Sequence, residues 1–206
     1  MKKGLIIVIS GPSASGKGTV IELLRKRMPG LNLSVSATTR APRPGEEEGV
    51  HYYYVTKDEF EKKIASGEIL EYNYYCDNYY GTPKSELERL SRGGHDVILE
   101  IDVNGGLQVK KLFPESITVM LVPPTAKTLE ERLRGRGTET EDVIKARLER
   151  AKEELTHLSE YDYLAINEDG KADECAALLE NVINAERAST ERVSDFPDRF
   201  FGRKNK

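Results

Sequence analysis

The chain predicts a three-layer α/β sandwich built on a parallel core sheet, with a small, mainly antiparallel subdomain inserted into it. Three observations carry that expectation. Runs rich in Val, Ile and Leu at Leu5 to Ile9, Val97 to Leu99 and Ile117 to Val122 have the length and composition of strands buried on both faces. Helical patterns lie between them, and strand followed by helix, repeated, builds a sheet covered by helices. From Leu33 to Thr82 the texture changes to alternating apolar and polar residues, which marks half-buried strands.

At 206 residues the chain has room for one substantial domain. The first strand, Leu5 to Ile9, runs into a helix over Gly18 to Arg27 with Val20, Ile21, Leu23 and Leu24 on its apolar side. The inserted region alternates at Leu33 to Ala37, continues through Tyr52 to Val55, and closes with Glu68 to Tyr74. Between the last two, Thr56 and Glu59 have capping-box spacing ahead of Phe60 and Ile64, which predicts a short helix ending near Gly67. A helix over Gly105 to Leu112 stops before Pro114, and further helices cover Ala126 to Leu133, Glu141 to Leu158 and Asp173 to Arg187. A short strand falls at Tyr163 to Ile166. The expected division is a core of residues 4–32, 93–124 and 158–190, an inserted subdomain of 33–92 and a helical lid of 125–157.

Composition excludes several classes. Charged residues make up 32% of the chain, but 31 basic and 35 acidic side chains leave a net charge of only −4, so a general nucleic-acid binder is not expected. The longest apolar run is far shorter than the roughly 18 residues a membrane helix needs, and with no leader pattern ahead of it the expectation is a soluble, cytoplasmic protein. Cys76 and Cys175 are far apart with no CxxC pair, so both are expected to be ordinary free thiols. Glu46 to Glu48 is the one notable charge run, and it is expected to be a solvated loop. His51, His95 and His157 are read as surface or packing residues.

The first strand leads into Gly11-Pro12-Ser13-Ala14-Ser15-Gly16-Lys17-Gly18-Thr19, which has the Walker A spacing in its required context of strand before and helix after. Small residues let successive N–H groups turn inward around a phosphate, while the helix N-terminus and Lys17 supply positive potential. The position after Lys17, usually Ser or Thr for magnesium, is Gly18; the hydroxyl comes one residue later, at Thr19.

A second anion site is suggested by the Ser36 to Gly45 segment, where several hydroxyls accompany Arg40 and Arg43, because guanidinium groups suit bidentate phosphate capture. The competing reading is a pair of solvated arginines. Arg132, Arg134 and Arg136 beside Gly135 and Gly137, with Arg147 on the next helix, form a segment that could close over phosphates. Its expected mobility centres on Arg134 to Gly137. An exposed helix of alternating charge would read the same way.

Taken together, GPSASGKGT, SATTRAPRPGE, EYNYYCDNYYGTP, LEIDVNGG and RLRGRGTETED resemble the guanylate kinase family, in the right order and over roughly Gly4 to Arg187. The resemblance implies transfer of the γ-phosphoryl group of ATP, with Mg2+, to GMP or dGMP, giving ADP and GDP or dGDP, in guanine nucleotide metabolism. It places Gly11 to Thr19 and Asn167 at ATP, and Arg40, Arg43, Tyr52 and Tyr80 at the GMP phosphate. Ser36, Glu71 and Thr82 would read guanine, with Asp102 on the same side. Lys17, Arg132, Arg136 and Arg147 would act on the transferring group, while Arg134 has no family match; Thr19 and, through water, Glu100 would serve the metal. Chemistry supports the base reader independently, since guanine presents N1–H and an exocyclic amine side by side and one carboxylate accepts from both. By strand pattern alone Glu71 could equally be an exposed strand residue, and Tyr72, Tyr74 and Tyr75 could merely pack a small sheet.

Three departures from the family pattern stand out: Ala14 for a common glycine, Asn104 for glutamine and Glu168 for aspartate. Two other readings compete. A guanylate-kinase-like scaffold domain would bind a phosphorylated peptide without catalysis, and a related kinase would act on another phosphorylated sugar or nucleotide. An intact Lys17 with lid arginines argues against the first; the Ser36, Glu71 and Thr82 set argues against the second. No role follows from the basic tail, Arg199 to Lys206, for which disorder is expected.

Overall fold

The computed structural model describes residues 4–75, 77–135, 137, 140–193 and 196–202. Cys76, Arg136 and the last residues of the basic tail, together with Thr138 and Glu139 of the expected lid segment, therefore lie outside the described residues.

Five parallel strands form the core sheet in the order β2 (Leu31–Leu33), β7 (Asp96–Glu100), β1 (Ile6–Ser10), β8 (Ile117–Val122), β9 (Tyr163–Ile166). Side chains alternate across it. Ile7 and Ile9 point to one face and pack with Val20, Ile21 and Leu24 of helix α1 (Lys17–Arg27) and with Leu179 and Ile183 of α7 (Ala172–Arg187). Val8 points to the other face, toward Leu87 of α3 (Lys84–Ser91) and Val109 of α4 (Val103–Leu112). Two covered faces explain the continuous Val/Ile/Leu runs, and each buried aliphatic side chain contributes about 1.5–3 kcal/mol. Because α1 and α4 leave the sheet on opposite faces, a crevice opens beyond the C-terminal ends of β1 and β7, where α/β sheets bind ligands.

The second sheet has the order β4 (Tyr53–Tyr54), β3 (Ala37–Thr38), β6 (Asn78–Pro83), β5 (Ile69–Tyr75). It is mainly antiparallel, although β3 and β4 pair in parallel. Helix α2 (Lys57–Ala65) covers it: Phe60 is fully buried against Ala37 and Ile69, and stacks on Tyr79 with ring centroids 5.1 Å apart. The Thr56 and Glu59 capping box forms on both sides, and the chain leaves the helix through Gly67 at φ +71°.

Helix α5 (Ala126–Gly135) packs on α6 (Glu141–Thr156) through Leu129, Leu133, Ile144 and Ala151, in the segment expected to be a lid. Arg134 is spent on Glu130 of α5 and Glu141 of α6. A short helix α8 (Phe196–Phe200) occupies the start of the segment expected to be disordered.

Several boundaries move. Leu33 pairs with Ile98 in the core sheet instead of opening the alternating strand that runs to Ala37, and Leu87 of α3 packs with Val8 and Val109. Helix α4 begins at Val103, two residues before the expected start, because the Asp102 side chain accepts the Gly105 N–H at 2.8 Å and caps it. The acidic run is not simply solvated: Glu46 accepts both Arg40 nitrogens at 2.9 Å, the Arg43 N–H at 2.7 Å and the Tyr54 hydroxyl at 2.8 Å. Among the described residues no helix is long and apolar enough to cross a membrane, and Cys175 is a buried free thiol.

Candidate active site

The phosphate loop is shaped by backbone that only glycine tolerates at two points. Gly11 sits at φ +145°, where a Cβ would lie 2.0 Å from the Leu121 carbonyl, and Gly16 at φ +93°, where a Cβ would lie 2.3 Å from the Asn167 amide. Ala14 also takes a left-handed φ of +68°, a conformation that costs a non-glycine residue roughly 1–2 kcal/mol; its methyl packs against the cluster between α5 and α6. Gly16 opens α1 without a side-chain cap, so the helix start offers its N–H groups to an anion. Lys17 Nζ donates to the carbonyls of Gly11 at 2.7 Å and Pro12 at 3.1 Å, which curls the ammonium over the loop.

Two other predicted residues brace this loop from behind. The Asn167 amide donates to the Ser15 carbonyl at 2.9 Å, and Arg132 donates to the same oxygen at 3.1 Å and to the Asn167 carbonyl at 2.8 Å. Asp169, which no local pattern marks, pairs with Arg132 at 2.6 Å; neighbouring Glu168 instead pairs with Lys171. Asn167 Oδ1 is buried and unpartnered. From the front, Arg147 of α6 donates to the Ser13 hydroxyl. Asn104 is exposed on α4.

A cleft of about 720 Å³ joins this loop to the second sheet, bringing Lys17 and Thr19 together with Ser36, Arg43, Tyr52, Glu71, Tyr80, Glu100 and Asp102. Strand periodicity explains the wall that faces the loop. A register shift between Ile69 and Glu71 sets the face of β5, after which Glu71, Asn73 and Tyr75 turn inward while Tyr72 and Tyr74 are exposed. Tyr75 is therefore a cleft residue rather than simple sheet packing. Arg40 stands back from the cleft in its bidentate pair with Glu46, 5.3 Å over the Tyr52 ring, and the guanidinium holds the Glu46 carboxyl down to about 2. His51 lines the mouth with its ring accepting the Glu47 N–H at 3.0 Å, whereas His157 pairs with Glu160.

Glu71 is the most perturbed carboxylate of the cleft. It is 3% exposed, and burial pushes its pKa up to about 7, with the nearby Asp102 charge adding and the Thr82 hydrogen bond opposing. Thr82 is fully buried behind it and donates to Oε1 at 2.7 Å. On the other side, a Cβ at Gly105 would sit 2.4 Å from Oε2. Replacing Gly105 by alanine is thus expected to push the carboxylate aside and, on the reading the family resemblance implies, to weaken GMP binding about tenfold, by the loss of roughly one hydrogen bond; steady-state kinetics with GMP varied at saturating ATP checks it.

Asp102 is engaged on three sides: it caps α4, accepts from Asn73 Nδ2, and pairs with Arg150 at 3.4 Å. Asn73, Tyr75 and Arg150 were not among the residues picked from sequence. Period-two spacing from Glu71 and the one-turn step from Arg147 are the signals that could have found them. A larger cavity of about 1300 Å³ lies at the opposite, N-terminal end of the core strands, and among the charges lining it Asp96 pairs with Arg187, Lys110 with Asp162 and Glu186 with Arg192.

The profile of the guanylate kinase family matches residues 3–186. The chain is 47% identical over 194 residues to a guanylate kinase of Carboxydothermus hydrogenoformans, covering 94% of each, and 44% identical over 195 residues to one of Clostridioides difficile, covering 95% of this chain and 94% of the relative. The crystal structure of guanylate kinase from Anaplasma phagocytophilum superposes with a TM-score of 0.77 at 30% identity, covering 100% of this chain and 98% of that one.

Proposed function

The chain belongs to the guanylate kinase family, and on that premise we propose that it transfers the γ-phosphoryl group of ATP to GMP or dGMP, giving ADP and GDP or dGDP. The observation that carries this reading is a single cleft holding Lys17 at a phosphate loop and, on its far wall, a buried carboxylate, Glu71, aimed inward. A related kinase with another acceptor would share the phosphate loop but would have no use for that carboxylate.

In the reaction an anionic phosphate oxygen of GMP attacks the γ-phosphorus in line, the bond from the γ-phosphorus to the bridging oxygen breaks, and ADP departs with that oxygen's electron pair. No proton has to be removed from the nucleophile, so no general base is required. Lys17 and Arg147 meet at the loop and offset charge on the transferring group; Arg132 supports Ser15 and Asn167 behind it. Arg136 is assigned to the same group from its family match. Arg43, Tyr52 and Tyr80 hold the GMP phosphate, with Arg40 free to join by exchanging Glu46 for it. Ser36 and Glu71 read the base, Thr82 fixes the Glu71 rotamer, and Asp102 supports the wall they share. The unpartnered Asn167 Oδ1 suits the exocyclic amine of adenine.

Magnesium fits the donor set. Magnesium keeps several waters and takes most of its remaining ligands from substrate phosphates, so a hydroxyl and a carboxylate at the cleft meet its demand for hard oxygens. Thr19, at the cleft, and Glu100, whose carboxyl is pushed up by burial and held down by Lys17, are the hard oxygens that would hold it. Bound there, it supplies charge neutralisation to the phosphates. Substrates of this kind place the enzyme with the cytoplasmic nucleotide pools.

ADP formation from ATP and magnesium with GMP, dGMP, AMP, CMP and UMP supplied separately tests the proposal. Turnover confined to the guanine nucleotides is expected; equal turnover with AMP would overturn it.

The raised pKa of Glu71 adds a pH signature. Guanine donates to the ionised carboxylate, so protonation of Glu71 competes with GMP, and affinity falls about tenfold for each pH unit below the carboxyl's pKa. Between pH 8 and pH 6 the KM for GMP is expected to rise more steeply in the wild type than in a Glu71→Gln variant, because ionisation of the GMP phosphate is common to both.

A further inference from the structure

One guanidinium in the cleft touches three parts of the molecule and has no place in the reaction described above. Arg150 lies on α6 one turn after Arg147. Its Nε donates to Glu154 of the same helix at 2.9 Å, an Nη reaches Asp102 at the edge of the core sheet at 3.4 Å, and its carbon lies 4.2 Å from the centre of the Tyr75 ring on the acceptor sheet. Asp102 is in turn tied to Asn73, the neighbour of Tyr75 along the inward face of β5. Lid, core and acceptor sheet thus meet at one side chain, at the base-reading end of the cleft.

We propose that Arg150 is a positioning residue for the acceptor: it docks the lid helix on the acceptor wall through Asp102 and Tyr75, roofs the guanine end of the cleft, and sets Arg147 over the phosphate loop from there. The inference rests on the phosphotransfer reading for the identity of the acceptor. Its geometry gives the contact a particular character. The Glu154 partner moves with α6 and is only 12% exposed, so it neutralises Arg150 whether or not the lid is docked. The Asp102 and Tyr75 contacts can therefore be broken without stranding a buried charge, whose exposure to an apolar surrounding would make release costly. Stacking of a guanidinium on a phenol ring and a long ion pair are each modest attractions, which suits a contact made and broken in each turnover.

An exposed lid arginine that merely pairs with its own helix would leave GMP binding alone. The test is calorimetric titration of the full chain with GMP and, separately, with ATP, for the wild type, Arg150→Ala and Arg150→Lys. Arg150→Ala is expected to weaken GMP about tenfold while ATP stays within about twofold, a loss confined to one ligand that general damage to the fold would not produce. Arg150→Lys, which keeps the charge but loses the planar stack, is expected to fall between the two, and Tyr75→Leu should weaken GMP without adding to the Arg150→Ala loss. Unchanged GMP affinity in Arg150→Ala, or parallel losses for GMP and ATP, overturns the proposal. Failure of the wild type to bind GMP at all would instead overturn the acceptor assignment, so the two outcomes are separable.

Discussion

Glutamine in place of Glu71 is expected to raise the KM for GMP by about 10²-fold while the KM for ATP stays within about twofold, as follows from losing a charge-assisted pair of hydrogen bonds in a buried site. The carboxylate oxygens are both acceptors, one already steadied by Thr82 and the other facing the wall at Gly105. An amide keeps one acceptor and turns a donor toward a guanine edge that offers only donors, so one buried N–H is left facing another. Water cannot repair this at 3% exposure. The fold should tolerate the change. Burial raises the Glu71 pKa from 4.5 to about 7, so the folded state binds the proton more tightly than the unfolded chain. The contribution of this group to stability is then fullest below pH 4.5 and is lost as the pH rises toward 7, up to about 3 kcal/mol for a shift of this size. Thermal unfolding at pH 8 should find Glu71→Gln at least as stable as the wild type, whereas a variant that loses both GMP use and stability would point to a structural role.

Removal of the Lys17 ammonium is expected to depress kcat by about 10²–10³-fold, the cost seen when one preorganised donor is taken from a site of developing charge. Lys17 reaches over the loop to two carbonyls, Gly11 and Pro12, that a solvent molecule can satisfy, so Lys17→Ala should leave the melting temperature within a few degrees. The effect belongs to the transition state, so the KM for GMP should move little, in contrast to Glu71→Gln. Turnover that survived unchanged would contradict the assignment of the phosphate loop.

What could be read from the sequence was set by local rules. Strands β1, β7 and β8 announce themselves because a parallel sheet covered on both faces demands uninterrupted aliphatic residues, and the Thr56 and Glu59 cap works within one turn. The phosphate loop is legible because its chemistry needs small residues and a lysine at fixed offsets. Less legible was anything decided by a distant partner. Three residues, Leu31 to Leu33, carry too little pattern to reveal that they join β7, and the parallel pairing of β3 with β4 has no local mark. Glu46 reads as part of an acidic run until the chain folds back and sets it against Arg40. Arg150 looks like one more charge on a solvated helix; only the closure of α6 over β5 puts Tyr75 beneath it. Asp169 carries no local mark for the same reason, since its partner Arg132 lies far away in sequence, on α5.

The central claim is that Glu71 reads guanine, and the most direct measurement is the ratio of kcat/KM for GMP to that for IMP, in the wild type and in Glu71→Gln. IMP keeps the phosphate, the ribose and N1–H but lacks the exocyclic amine, so it isolates one of the two donors. A ratio of about 10² or more in the wild type, expected where a buried acceptor is left unpaired, should collapse to within a few-fold in Glu71→Gln. A ratio that stays the same in both proteins would place guanine recognition elsewhere in the cleft.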